Sequence, residues 1–83
     1  MTCSILDTKI NYNNLDKNIT YYYEEHGKAP YLFVNGETFQ AMANNLENRD
    51  TSRISAFVQI MALYKGNRVY RNDDLAYGEV ELR

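Results

Sequence analysis

One cysteine, one proline, one histidine and no tryptophan occur in the 83 residues. With a single thiol, Cys3, neither a disulfide framework nor a thiolate zinc site can form within the chain, and a reducing cytoplasm is the compartment that fits. Long hydrophobic runs are missing too. AFVQIMALY at 56–64 is broken by Gln59 and falls well short of the roughly 20 apolar residues that a bilayer requires. The opening MTCSILDTKI has neither the basic start nor the apolar stretch of a signal peptide. A cytoplasmic protein without membrane contact is expected. No linker, repeat or low-complexity segment divides the chain. At this length a domain removes only about 60–65% of its unfolded surface from water, so residues 1–83 are expected to make a single compact domain.

What is present describes a folded globule: 45% hydrophobic, 13% aromatic and 24% charged residues, with eight tyrosines. The net charge of −2 conceals three blocks, −3 over 1–48, +4 over 49–71 and −3 over 72–83. Such blocks either neutralise one another within the fold or present a basic and an acidic face to partners.

Hydrophobic spacing places the elements. TKINY at 8–12 alternates as a first strand with Ile10 and Tyr12 inward. Asn14 can cap a helix in which Leu15, Ile19, Tyr22, Tyr23 and His26 share one face. ITYYY also favours extended backbone, but Gly27 as a left-handed terminator and Pro30 as a stop favour the helix. YLFV at 31–34 reads as a short strand buried on both faces. The following Asn35-Gly36 fits either a hairpin or a helix cap, and Phe39, Met42, Ala43 and Leu46 at helical spacing favour a helix over 37–47. A further helix is expected from Asp50 or Thr51, with Ile54, Phe57, Val58, Met61 and Tyr64 as its stripe and Lys65-Gly66 as its end. RVYR, a turn on NDDLAYG, and EVEL with Val80 and Leu82 inward complete the chain. The expected class is α+β (mixed α/β): a single-layer sheet of about four strands packed by two to three helices, in the order β-α-β-α-α-β-β. The first crossover is expected to pair two parallel strands directly.

Reactive side chains do not converge in this pattern. Cys3 and His26 have nothing to bring them together as nucleophile and base. Glu24, Glu25 and His26 are successive helical residues, about 100° apart, and cannot meet on one ion. NDDLAYGE lacks the ligand spacing of a calcium loop, so Asp73 and Asp74 read as turn formers. Neither a catalytic residue nor a metal or cofactor site is expected.

Two stretches resemble known proteins. APYLFVNG at 29–36 is similar to the Pro-x-x-Phe-hydrophobic-Asn-Gly run of glutaredoxins and related thioredoxin-fold proteins. Those proteins use it with an upstream Cys-x-x-Cys or similar redox centre, and this chain has no such centre. YYEEHGKAPYLFVNGETF and YKGNRVYRNDDLAYGEVEL together resemble the helix–Gly–loop–Pro–strand–helix and closing-strand segments of some tailed-phage head proteins. That resemblance implies a phage or mobile-element origin.

The function expected is therefore a small non-catalytic protein-binding module, as an accessory protein or an inhibitor of a host factor. Tyr64, Arg68, Tyr70, Arg71 and Tyr77 are its candidate contact residues, because tyrosine offers area with a polar tip at low entropic cost. The alternative is a nucleic-acid- or nucleotide-binding protein using Arg49, Arg53, Lys65, Arg68 and Arg71. Self-association through a strand edge or an apolar surface is compatible with either.

Overall fold

A computed structural model describes residues 1–48 and 62–83. They run β1 (Thr2–Ser4), α1 (Tyr12–His26), β2 (Leu32–Val34), α2 (Gly36–Ala41), a 3-10 turn (Ala43–Asn45), β3 (Glu47–Asn48), β4 (Ala62–Tyr64), β5 (Asn67–Arg71) and β6 (Glu79–Leu82). The strands form one sheet in the order β1-β6-β2-β5-β4-β3. Strands β2 and β5 are parallel and all other neighbours antiparallel. The α+β class holds, with six strands among the described residues in place of about four.

The first strand lies earlier than the alternation of TKINY implies. Residues 2–4 pair with β6, while Leu6 and Ile10 bridge across a tight turn in which the Asp7 N–H donates to the Lys9 carbonyl at 3.0 Å. Asn11, three residues before the expected cap, starts α1 by accepting the Asn14 N–H at 3.1 Å. Asn14 instead donates its side-chain amide to the Ser4 carbonyl at 2.7 Å, tying the helix start to β1. Ile10 and Tyr12 still pack against the core, one from the turn and one from the first helical residue. Helix wins over strand in 15–26 for the reason that boundary signals gave: Gly27 sits at φ 69° and returns its N–H to the Tyr23 carbonyl at 2.8 Å.

Strand β2 is one-faced. Leu32 and Val34 are buried and Phe33, half-buried, points the other way. It does not pair with β1, as the direct crossover required; β6 lies between them, antiparallel to both. Asn35 then caps α2, accepting the Thr38 N–H at 2.8 Å, so Asn35-Gly36 forms no hairpin. The helix expected over 37–47 ends at Ala41. Its apolar spacing is met instead by Met42 at the cap and by Leu46, extended at φ −108° and ψ 140°.

The largest correction lies in 62–67. Residues 49–61 of the expected second long helix are outside the described residues, but Ala62–Tyr64 is strand β4 and Lys65-Gly66 is a two-residue hairpin turn. Lys65 and Gly66 have φ of 47° and 85°. Positive φ at both central positions matches the twist of the flanking strands, so the pair that resembles a helix terminus closes a hairpin.

Alternation sorts the sheet into two faces. Leu32, Val34, Ala62, Tyr64, Val69, Val80 and Leu82 are buried in one cluster with Leu15 and Tyr22 of α1, and with Met42 and Leu46 that follow α2. Ile19 and Phe39 pack against that cluster. Both helices thus cover the same side of the sheet. Among the described residues no helix covers the other.

Candidate functional site on the open face of the sheet

The residues that alternate with the core define this face. Phe33 lies between Glu81 of β6 and Tyr70 of β5. Its ring stacks on Tyr70, centroids 5.4 Å apart and planes 25° apart, and Tyr31 meets Tyr70 edge-on at 5.9 Å. Two residues before Phe33, Tyr31 exchanges backbone hydrogen bonds of 2.8 and 3.0 Å with Arg83. The parallel register sets Tyr31 level with Arg68 on its other side. Arg68 is opposite Leu63, which in turn faces Glu47 on β3.

Arg83 ties the aromatic strip together. Its guanidinium carbon sits 4.4 Å from the Phe33 ring centroid, and its Nε donates to Glu81 Oε1 at 2.8 Å. A cation over an aromatic face adds about 0.5–1 kcal/mol at an exposed site. The strip is open to water: Tyr31 is 49% exposed, Arg68 and Arg83 are exposed, and Phe33, Leu63 and Tyr70 are half-buried. Exposed tyrosines also occur on α1, but Tyr21 and Tyr23, two residues apart, point about 200° apart on the helix and do not form one patch.

Of the candidate contact residues, Arg68 and Tyr70 belong to this face. Tyr64 does not: it is 1% exposed, its ring stacked on Tyr12 at 5.9 Å and its hydroxyl donating to the Asp16 carboxylate at 2.6 Å. Burial, the bond to Asp16 and the charge of Asp16 all push the Tyr64 hydroxyl above the ordinary phenol range. Arg71 ends β5, packs over Gly36 and pairs with Asp73 at 2.9 Å. Tyr77 is 40% exposed in the turn before β6. The basic set is not gathered. Arg49 and Arg53 lie outside the described residues, Lys65 is bound to Asp16 at 2.6 Å at one end of β5, and Arg71 is bound to Asp73 at the other.

Cys3 faces the core opposite Val80, and burial pushes its thiol above the ordinary range against the lowering effect of the nearby amino terminus. His26 is exposed at the end of α1, its ring 4.2 Å from that of Tyr22. Among the described residues no group of three or more His, Cys, Asp or Glu side chains is placed to hold a metal ion. No helix among them is long and apolar enough to cross a membrane.

Sequence reasoning missed Tyr31, Phe33, Glu81 and Arg83 as members of a shared surface. The signal was present in the odd-numbered aromatics of YLFV, but it is readable only once that strand is known to be buried on one face. What the arrangement offers chemically is a flat area of rings with polar tips, bordered by charges of both signs. Compared with known proteins, the chain matches no family model, no curated protein and no solved structure.

Proposed function

We propose that this chain is a small non-catalytic protein-binding module that docks through the open face of its sheet. One observation carries the reading: the Phe33–Tyr70 stack, flanked by Tyr31 and Arg83, lies on the side of the sheet opposite both described helices. Aromatic and arginine side chains are the residues enriched at the energetic centres of protein interfaces, where they bury large area with few rotatable bonds. In its specific form the module acts in the cytoplasm by covering a surface of a host factor, a reading motivated by the phage-like segments at 22–39 and 64–82.

The charge layout supports a protein partner over a nucleic acid. Glu47, Glu79 and Glu81 share the face with Arg68 and Arg83. Carboxylates beside the stacking rings repel a phosphate backbone, whose neutralisation by cations supplies most of the affinity in nucleic-acid binding.

The test is affinity capture with the wild-type chain beside Tyr70→Ala and Tyr23→Ala. The reading predicts one defined protein that is retained by wild type and Tyr23→Ala and lost by Tyr70→Ala. Equal retention by all three would place the contact elsewhere. Retention of nucleic acid instead, weakening steeply with salt, would favour the alternative.

A further inference from the structure

The charges on the open face have a symmetry that the aromatic strip alone does not. Take Phe33 as the centre. Arg68 lies one strand to one side, on β5, and one row toward Tyr31. Glu79 lies one strand to the other side, on β6, and one row the opposite way, level with Asn35. The two opposite charges therefore occupy diagonal positions around one ring. Tyr31, one row from Phe33 along the chain, and Glu81, beside Phe33 on β6, lie together on one side of that diagonal and mirror each other across the line perpendicular to it: a phenol donor and a carboxylate acceptor.

An arrangement of this kind is complementary to itself. Let a two-fold axis lie in the plane of the face, through Phe33 and perpendicular to the Arg68–Glu79 diagonal. It carries Arg68 onto Glu79 of a second copy, and Tyr31 onto Glu81 of that copy. Each contact occurs twice, as an isologous interface requires. With strands about 4.8 Å apart and same-face residues about 6.7 Å apart along a strand, the same operation crosses the strands of the two sheets at about 70°, nearer the orthogonal than the aligned class of face-to-face packing. Phe33 then meets Phe33. Each Arg83 comes near the axis already paired with its own Glu81, so the two guanidinium groups do not meet as bare charges.

We infer that the partner fitted by this face is a second copy of the chain, in a two-fold dimer whose sheets cross steeply through Phe33, with Arg68 of each copy against Glu79 of the other. The inference rests on the protein-docking reading above and puts a second copy in place of a host factor as the partner of this face. Glu79 accepts the Ala76 N–H at 3.3 Å through Oε1, which leaves Oε2 for the guanidinium. Like charges set opposite one another at such a contact cost enough to weaken association by at least about tenfold.

Sedimentation equilibrium on the full chain tests it with two charge reversals, Arg68→Glu and Glu79→Arg. The wild type is expected to show a monomer–dimer equilibrium, and each reversal alone to weaken it at least tenfold. An equimolar mixture of the two variants, in which both diagonal contacts again join opposite charges, is expected to recover wild-type association. So is the chain carrying both changes. If a reversal unfolds the chain, Arg68→Gln and Glu79→Gln carry the test, each expected to weaken association. A wild type that stays monomeric into the millimolar range, reversals without effect, or a mixture no tighter than its components would overturn the dimer. A monomeric wild type whose capture of another protein still depends on Tyr70 would overturn the dimer and leave the docking reading standing. Loss of neither property in Tyr70→Ala would remove both.

Discussion

The Tyr64 hydroxyl donates to Asp16 at 2.6 Å, and Lys65 Nζ reaches the other oxygen of the same carboxylate at 2.6 Å. One carboxylate on α1 thus holds the end of β4 and the hairpin turn that follows, and it satisfies the only polar atom of a ring that is otherwise in the core. Replacing Tyr64 by Phe leaves Asp16 partly exposed and still paired with Lys65, so the expected loss is modest, about 1 kcal/mol. Asp16→Ala leaves the buried hydroxyl without its acceptor and is expected to cost more, about 1–3 kcal/mol. Urea unfolding monitored by circular dichroism compares the two, and an Asp16→Ala no worse than Tyr64→Phe would contradict the arrangement.

The same pair gives stability a pH window. Burial pushes the Asp16 carboxyl up, but hydrogen bonds from Lys65 and Tyr64 and the charge of Lys65 outweigh it and hold the group below its ordinary range. A carboxyl depressed in the folded state contributes stability above its unfolded pKa, near 3.9, and that contribution is lost as pH falls through the folded value. Tyr64 is displaced upward, so its contribution is complete below the unfolded phenol value, near 10, and is lost as pH rises toward the folded one. Unfolding midpoints measured from acid to alkaline pH are expected to fall at both ends in the wild type. Tyr64→Phe should flatten the alkaline limb, and an unchanged limb would show that Tyr64 does not produce it.

Glycines at 27 and 78 separate strain from collision. Both have positive φ, 69° and 79°, but the space at Gly27 is empty whereas a Cβ at Gly78 would run into Leu6. Gly27→Ala is expected to cost about 1–2 kcal/mol from backbone conformation alone. Gly78→Ala should cost clearly more, because Leu6 or the turn must move. Equal urea midpoints for the two variants would contradict the close approach.

Thr38 links α2 to the turn before β6. It is fully buried, and its hydroxyl accepts the Gly78 N–H at 2.9 Å. Thr38→Val keeps the shape but leaves a buried donor unpaired, an expected loss of about 1–3 kcal/mol. Thr38→Ser keeps the acceptor and should lose less. Amide exchange at Gly78 reads the bond directly, and protection that survives in Thr38→Val would show that the bond is not what slows exchange there.

Much of this fold can be read from residues alone, and the failures share a cause. Gly27, Pro30 and the apolar spacing from Leu15 to Tyr22 identify α1 because helix boundaries are local. EVEL reads correctly because its alternation matches burial on one face. Lys65-Gly66 fails because a positive-φ pair ends a helix or closes a hairpin with the same residues, and only the pairing of Tyr64 with Asn67 decides. The open face fails for the same reason at longer range. Tyr31, Phe33, Tyr70 and Arg83 come from three strands and meet only through the insertion of β6 between β1 and β2 and the parallel pairing of β2 with β5. No spacing within one segment encodes that.

The claim that the open face is the docking surface is tested most directly by a soluble paramagnetic probe that broadens the ring signals of solvent-exposed aromatics. In the dilute chain Tyr31, Tyr21 and Tyr23 should all be reached. In the associated state, Tyr31, Phe33 and Tyr70 are predicted to become shielded while Tyr21 and Tyr23 on α1 stay accessible. Shielding of Tyr21 and Tyr23 with the sheet face still exposed would contradict the account.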